Sequence, residues 1–194
     1  MRRKTFDALL TTTGLMLAVV LLVAGGLLTW GSTFVSNEVR TQLSAQKIFI
    51  PASDSPALAD PAVKPYLSKY AGQQLTTGDQ AKAYADHFIA VHLKKISGNQ
   101  TYAQLSAQAQ ANPTDTALAA QVNTVFKGET LRGLLLNAYA FGTMGKIAAI
   151  AAIAAFASAA LMLLLSLLGI RHLRRTPSDV ELAIPGWHPE SATV

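Results

Sequence analysis

The sequence predicts an all-α membrane protein in which a helical extracytoplasmic domain is inserted between two transmembrane helices. Three observations predict this class: two long apolar runs, basic residues on one side of each run, and helical periodicity in between. The predicted boundaries are 1–8 for a cytoplasmic flank, 9–30 for the first span, 31–145 for the domain, 146–170 for the second span and 171–194 for a cytoplasmic tail.

Each apolar run is long enough to cross a bilayer. About 20 apolar residues, rising about 1.5 Å each, cover a hydrocarbon core of about 30 Å. Residues 147–170 supply 24 uncharged positions, and no ionisable side chain lies inside either run. The first run exceeds the apolar stretch of about 7–15 residues that is typical of a cleaved signal peptide, so we expect it to remain as a helix.

Basic flanks predict that both termini are cytoplasmic and that the protein lies in the plasma (inner) membrane, because Arg and Lys concentrate on the cytoplasmic side of short flanks. These residues are Arg2, Arg3 and Lys4 before the first span, and Arg171, Arg174 and Arg175 after the second. Aromatic rings favour the membrane–water interface. We therefore place four aromatic residues at the outer interface, namely Trp30, Phe34, Tyr139 and Phe141.

Composition limits the chemistry of the chain. Charged residues make up 14% and apolar residues 51%, and cysteine is absent, which excludes disulfides and thiolate metal sites. The formal charge of +5 is explained by topology and by attraction to anionic lipid, and no nucleic-acid motif accompanies it. The predicted partners are the lipid bilayer and a membrane protein or a second copy of the chain, with no nucleic acid.

Within the domain, the first helix is predicted to continue beyond the membrane until Pro51, followed by a proline-rich loop and a short helical turn over 66–70. Two capping-box patterns, at Thr77–Gln80 and Thr101–Gln104, predict helix starts. The helix over 78–96 is expected to bury one apolar stripe against the last helix. The expected contacts join Tyr84, Phe88 and Val91 to Leu118, Val122 and Val125.

The last helix is predicted to start near Thr114, and it could run into the second span. Gly142 and Gly145 are the expected places for a bend or a break. Small residues on the spans predict that these pack as an antiparallel pair, because small side chains let helix backbones approach closely. The candidate packing positions are Ala151, Ala155 and Ala159 on the second span, with Gly14 and Ala18 on the first. The alternative is that alanine is only an apolar filler.

The predicted domain contains two histidines, His87 and His92, which lie five residues apart. On a helix this spacing separates them by about 140°, whereas zinc-binding helices place histidines four residues apart on one face. A metal site would therefore need a carboxylate such as Glu129 or Asp86. No catalytic motif is present, so the sequence predicts no catalytic residue, no metal ligand and no cofactor.

Several segments are similar to a family of uncharacterised actinobacterial two-pass membrane proteins. The similar segments are MRRKTFD (1–7), LAVVLLVAGGLLTW (17–30), SPALADP (55–61), YAGQQL (70–75), YADHFIAVH (84–92) and GETLRGLLLNAYAF (128–141). Members are often labelled as aromatic ring-opening dioxygenases. The extradiol enzymes of that class hold a metal with histidines and a carboxylate, which the spacing of His87 and His92 does not supply. The resemblance implies the topology and no mechanism.

Three functions are compatible with these observations. The leading hypothesis is a non-enzymatic accessory or scaffolding component of a cell-envelope complex, which should expose an apolar face. An extracytoplasmic sensor or ligand-binding receptor should show a pocket with convergent polar groups. A metal-dependent enzyme using His87 and His92 is the remote alternative, and it should gather polar side chains around one cavity.

The predicted topology can be measured with reporter fusions. Because both basic flanks favour the cytoplasm, reporters at Thr5 and after Val194 should read cytoplasmic, and one inserted near Ser97 should read external. An external C-terminus would contradict the topology, since it would mean that one of the two runs does not span the membrane.

Overall fold

The computed structural model describes residues 3–175, whose regular structure is helical. Two long helices, α1 (Arg3–Ala45) and α7 (Thr116–Arg175), enclose the shorter elements in the sequence. These are α2 (Pro56–Ala59), α3 (Lys64–Leu67), a 3₁₀ turn (Ser68–Tyr70), α4 (Gly78–Tyr84), a π-helical turn (Ala85–Ile89), α5 (Ala90–Ser97) and α6 (Tyr102–Ala111). Arg2 and the predicted tail beyond residue 175 lie outside the described residues.

The chain divides into two compact units, and both long helices contribute to each. We call residues 3–29 with 149–175 the apolar helix pair, and Trp30–Ala148 the helical domain. Both α1 and α7 are long and apolar enough to cross a membrane, and only 11% of the most apolar 18-residue window is buried in each. Helices whose apolar side chains are mostly exposed suit lipid, whereas core helices of soluble proteins are buried.

Small residues form the seam of the apolar helix pair. Ala18 and Gly25 are buried on α1, and Ala152, Ala159 and Ser166 are buried on α7. Each set repeats at intervals of seven residues, which is the spacing that keeps one face of a helix against its partner in coiled-coil packing. Of the predicted packing positions on α7, Ala159 lies in this row, whereas Ala151 and Ala155 are half-buried at its margin.

Glycines in this seam mark close backbone approach. A methyl group on Gly25 would lie 2.9 Å from the Phe156 ring, and one on Gly14 would lie 2.7 Å from Ser166 Oγ. Gly14 thus faces Ser166, and Gly25 faces Phe156. Residue numbers rise along α1 as they fall along α7, so the two helices run antiparallel within this unit.

The core of the helical domain is formed by one face each of α1 and α7 with the shorter helices packed against them. Its buried side chains include Val39, Leu43, Ile50, Leu58, Val63, Leu67, Leu75, Ala81, Ala85, Ile89, Leu93 and Leu135. In α4–α5 the buried row is therefore spaced by four residues, whereas the predicted row of Tyr84, Phe88 and Val91 is half-buried and packs at the core edge. The π-helical turn explains the shift, because its wider turn keeps residues four apart on one face.

On the side of α7, Val125 is buried as predicted, but Leu118 and Val122 are only half-buried. The buried α7 residue of the main core cluster is Leu135 instead. The centre of the domain thus lies about three turns further along α7 than the sequence indicated.

Both predicted capping boxes are confirmed. Thr77 Oγ1 accepts from the Gln80 amide at 3.3 Å, and Gln80 Oε1 accepts from the Thr77 amide at 3.1 Å. Gln80 is buried, and its Nε2 donates to Gln73 Oε1 at 2.9 Å. The capping residue Gln80 therefore also connects the preceding loop, through Gln73, to the start of α4.

One predicted helix end is wrong, whereas the possible continuation of the last helix into the second apolar run is confirmed. α1 ends at Ala45, ahead of Lys47 with φ 52°, and residues 48–50 then pair with 73–75 through an isolated antiparallel bridge at Phe49 and Gln74. α7 has no break at Gly142 or Gly145. A methyl group on Gly145 would lie 3.3 Å from Ser36 Oγ, so this glycine permits close packing against α1.

Adjacent glycines give a matched test of the seam. Gly25→Val should weaken the apolar helix pair by about 1–3 kcal/mol, because the new side chain overlaps the Phe156 ring. Gly26→Val should have little effect, since a methyl group there meets nothing within 4 Å. Unfolding of the full chain in mixed micelles measures both. Equal effects of the two variants would mean that the seam does not hold the pair together.

Candidate functional site

The π-helical turn Ala85–Ile89 positions the ionisable groups of the helical domain. The Ala90 amide donates to the Ala85 carbonyl, a bond that spans five residues instead of four. Such turns are rare and often lie at functional sites, because the extra residue redirects the neighbouring side chains. Here the turn carries both Asp86 and His87.

Asp86 is shared between two cations. Its carboxylate accepts from Lys82 Nζ at 2.7 Å and from Arg132 Nη2 at 3.3 Å, while Arg132 Nη1 also lies 3.3 Å from Glu129 Oε2. The hydrogen bond from Lys82 is the main reason that the pKa of Asp86 is lowered, with Arg132 adding to it and burial opposing it. The same bond raises the pKa of Lys82. This network joins α4, the π-helical turn and α7.

The two histidines are held by different partners. His87 stacks face to face on Tyr66, with 3.4 Å between ring centroids and 4° between planes. His92 donates from Nδ1 to the Phe88 carbonyl at 2.8 Å, and its ring lies against the Phe88 ring. Within residues 3–175, no group of three or more His, Cys, Asp or Glu side chains could hold a metal ion.

A polar cavity of about 830 Å³ lies beside Arg132. α5, the start of α6 and α7 enclose it, and Leu93 and Val125 are its most buried apolar residues. The approach of α5 to α7 depends on Gly128, because a side chain there would overlap Leu93. Acidic, basic and amide side chains line the rest, namely Asp86, Lys94, Asn99, Gln100, Glu129 and Arg132.

A smaller hollow of about 370 Å³ is lined by Tyr66 and Tyr70 with Lys69, Lys82, His87 and Tyr139. The Tyr139 ring is half-buried, with Lys82 Nζ 5.0 Å from its centroid. Tyr139, one of the four predicted interface aromatics, thus packs within the helical domain. Nearby, Asp79 forms an ion pair with Lys146 at 2.5 Å.

An apolar groove of about 390 Å³ runs between α1 and α7 in the helical domain. Phe34, Leu134 and Phe141 line it and are 58%, 56% and 55% exposed. Trp30, which is 69% exposed, stacks on Phe34 with 5.8 Å between centroids. Three of the four predicted interface aromatics therefore lie at or next to this groove.

At the ends of the apolar helix pair, the predicted topology residues that are described are exposed, namely Lys4, Arg171, Arg174 and Arg175. Asp7 Oδ2 lies 3.7 Å from His172 Nε2, a pairing between α1 and α7 that sequence reasoning missed. The apolar groove was not predicted, although the sequence contains a pattern that indicates one of its walls. Leu134, Ala138 and Phe141 follow the spacing of one helix face. The cavity combines two distant stretches of the chain, 86–103 and 125–132, and no local pattern shows that these two stretches meet.

No protein-family model, curated protein or solved structure matches this chain.

The Asp86 network predicts a pH dependence. Because the folded pKa of Asp86 is lowered, its ion pairs stabilise the domain above the unfolded value of 3.8, and this contribution is lost as pH falls through the folded pKa. Asp86→Asn should reduce stability at neutral pH by about 0.2–1 kcal/mol, as is typical of partly exposed pairs, and should flatten the decline in stability below about pH 5.

Thermal unfolding followed by circular dichroism across this range measures the effect. Asp54→Asn is the control, since Asp54 is exposed. Asp60, whose pKa is also lowered, chiefly by its hydrogen bond from Lys95, should leave a residual decline in the Asp86 variant. Identical profiles for wild type and Asp86→Asn would contradict the role given to this network.

Proposed function

We propose that this chain is a non-enzymatic plasma-membrane protein with two spans and cytoplasmic termini. In this proposal the helical domain is extracytoplasmic and serves as an accessory or scaffolding component of a cell-envelope complex. The proposal places the chain with the actinobacterial two-pass proteins that it resembles, without a ring-opening activity. The observation that carries it is the apolar groove between α1 and α7.

The groove leaves large apolar side chains uncovered. Phe34, Leu134 and Phe141 are each more than half exposed, although Val39 and Leu43 at the base of the same groove belong to the domain core. Contiguous apolar surface of this kind usually marks an interaction site, because covering it removes apolar area from water. Two helices with a groove between them offer a seat for the apolar face of a third helix.

The chemistry of the groove specifies the occupant. Glu38 lines it, accepts from Gln42 Nε2 at 2.7 Å and forms no ion pair among residues 3–175. Covering this carboxylate costs free energy unless a cation pairs with it. We infer that the occupant is an amphipathic helix of a partner protein, with an apolar stripe for Phe34 and Phe141 and a Lys or Arg for Glu38.

The polar cavity favours a second candidate, a ligand-binding receptor, because polar groups from α5, α6 and α7 converge on it. The enzyme alternative has less support. His87 is stacked on Tyr66 and His92 is bonded to a backbone carbonyl, so the two rings do not act as a pair.

Groove occupancy can be tested in membranes by a photo-crosslinking residue at Gln42, followed by identification of the attached peptide. The expected product joins Gln42 to an apolar helix that contains a basic residue. Phe34→Ala should reduce capture of that same partner by about 30-fold, as for a central interface aromatic. Glu38→Lys should reduce it as well, because it places like charges together.

Phe49→Ala is the matched control, since Phe49 is also 58% exposed but lies outside the groove. Equal capture by both phenylalanine variants would contradict the proposal, as would crosslinks to lipid alone. A product of twice the chain mass would replace the partner helix with a second copy of the chain.

A further inference from the structure

The polar cavity beside Arg132 has the size and lining of a small-molecule site. Its volume of about 830 Å³ falls within the range of about 300–1,000 Å³ for ligand pockets. It is separate from the apolar groove, with which it shares no lining residue. From its charge balance, its unused donors and its exposed tyrosine ring, we propose that the cavity binds a short, neutral oligosaccharide.

The charges that line the cavity cancel. Lys94 and Arg132 are basic, whereas Asp86 and Glu129 are acidic. An anionic ligand near Arg132 would also meet the two carboxylates that flank it, and a cationic ligand would meet the guanidinium. This balance favours an uncharged ligand.

Hydrogen-bonding capacity in the cavity is not used up. Arg132 has five N–H donors, and its Nη1 and Nη2 each form one ion pair at 3.3 Å, which leaves one further N–H on each of these two atoms. Asn99 and Gln100 add amide donors and acceptors from the loop between α5 and α6. A ligand with many hydroxyl groups suits this set, because each hydroxyl both donates and accepts.

The lining also contains apolar residues and one aromatic ring. Leu93 and Val125 are almost fully buried, and Tyr102 lies at the cavity with 41% of its surface exposed. The Tyr102 ring is supported by Phe126, at 5.6 Å between centroids. A sugar ring presents a C–H face that packs on an exposed aromatic ring such as that of Tyr102, and hydroxyl edges that bond to planar polar groups. A purely apolar ligand would instead leave Arg132, Asp86 and Glu129 desolvated.

Binding can be measured by saturation-transfer NMR and calorimetry on the full-length protein, purified in a detergent without a sugar headgroup. The probes are three neutral trisaccharides, maltotriose, cellotriose and triacetylchitotriose, with inorganic phosphate and trigalacturonate as charged comparisons. At least one neutral probe should bind, and both charged probes should bind at least about tenfold more weakly.

Tyr102→Ala and Glu129→Gln should each weaken the neutral probe by about tenfold or more, with an unchanged circular dichroism spectrum. Tyr66→Ala is the matched control, because Tyr66 is 48% exposed but lines the smaller hollow. The Tyr66→Ala variant should bind the neutral probe with the affinity of the wild type. Absence of binding by all three neutral probes would overturn the inference. So would tighter binding of phosphate or trigalacturonate, or a Tyr102→Ala variant with full affinity. None of these outcomes bears on the apolar groove, whose test is independent.

Discussion

Close approach between the backbones of α1 and α7 is the constraint on which both units of this protein depend. In the apolar helix pair, Gly14 and Gly25 admit Ser166 and Phe156 from the opposite helix. Lipid supplies no hydrophobic drive for two apolar helices to associate, so their contact has to come from van der Waals packing between closely spaced backbones. In the helical domain, Gly145 admits Ser36 in the same manner, and the burial of a separate apolar core adds to the contact.

The helical domain adds a second device, the π-helical turn. Asp86 contacts Lys82, which lines the smaller hollow, and Arg132, which lines the polar cavity. His87, the next residue, packs on Tyr66 at the smaller hollow. One irregular turn therefore determines which charged side chains border each hollow. A regular helix with Lys82–Asp86 spacing would still form that pair, but the extra residue changes the direction of every side chain after it.

Local signals predicted the features that depend on neighbouring residues. The two capping boxes depend on residues three apart, and the two long apolar helices depend on composition over about 20 residues. The small-residue seam was only partly foreseen, because the expected spacing of four at Ala151, Ala155 and Ala159 differs from the repeat of seven at Ala152, Ala159 and Ser166. Two helices that wrap around each other favour the longer repeat.

Features that combine distant segments were not predictable. The core row of α4–α5 shifted because a π-helical turn has no sequence pattern, and Leu135 replaced Leu118 and Val122 because helix register against a distant segment is set by packing. From the sequence, Gly142 and Gly145 are compatible with a bend in the helix or with close packing against another helix. Only the position of α1 beside Gly145 decides between them.

The composition of the groove favours the proposed protein occupant over lipid. Trp30, Phe34, Leu134 and Phe141 alone would suit contact with acyl chains at a membrane surface. However, Glu38 lies in the same groove as Phe34, and an ionised side chain in hydrocarbon costs about 2.5–3.5 kcal/mol or more. A hydrocarbon chain cannot offset that cost, whereas a helix that brings a basic side chain can. Because the groove combines apolar anchors with one carboxylate, the occupant that we propose has the same mixed character.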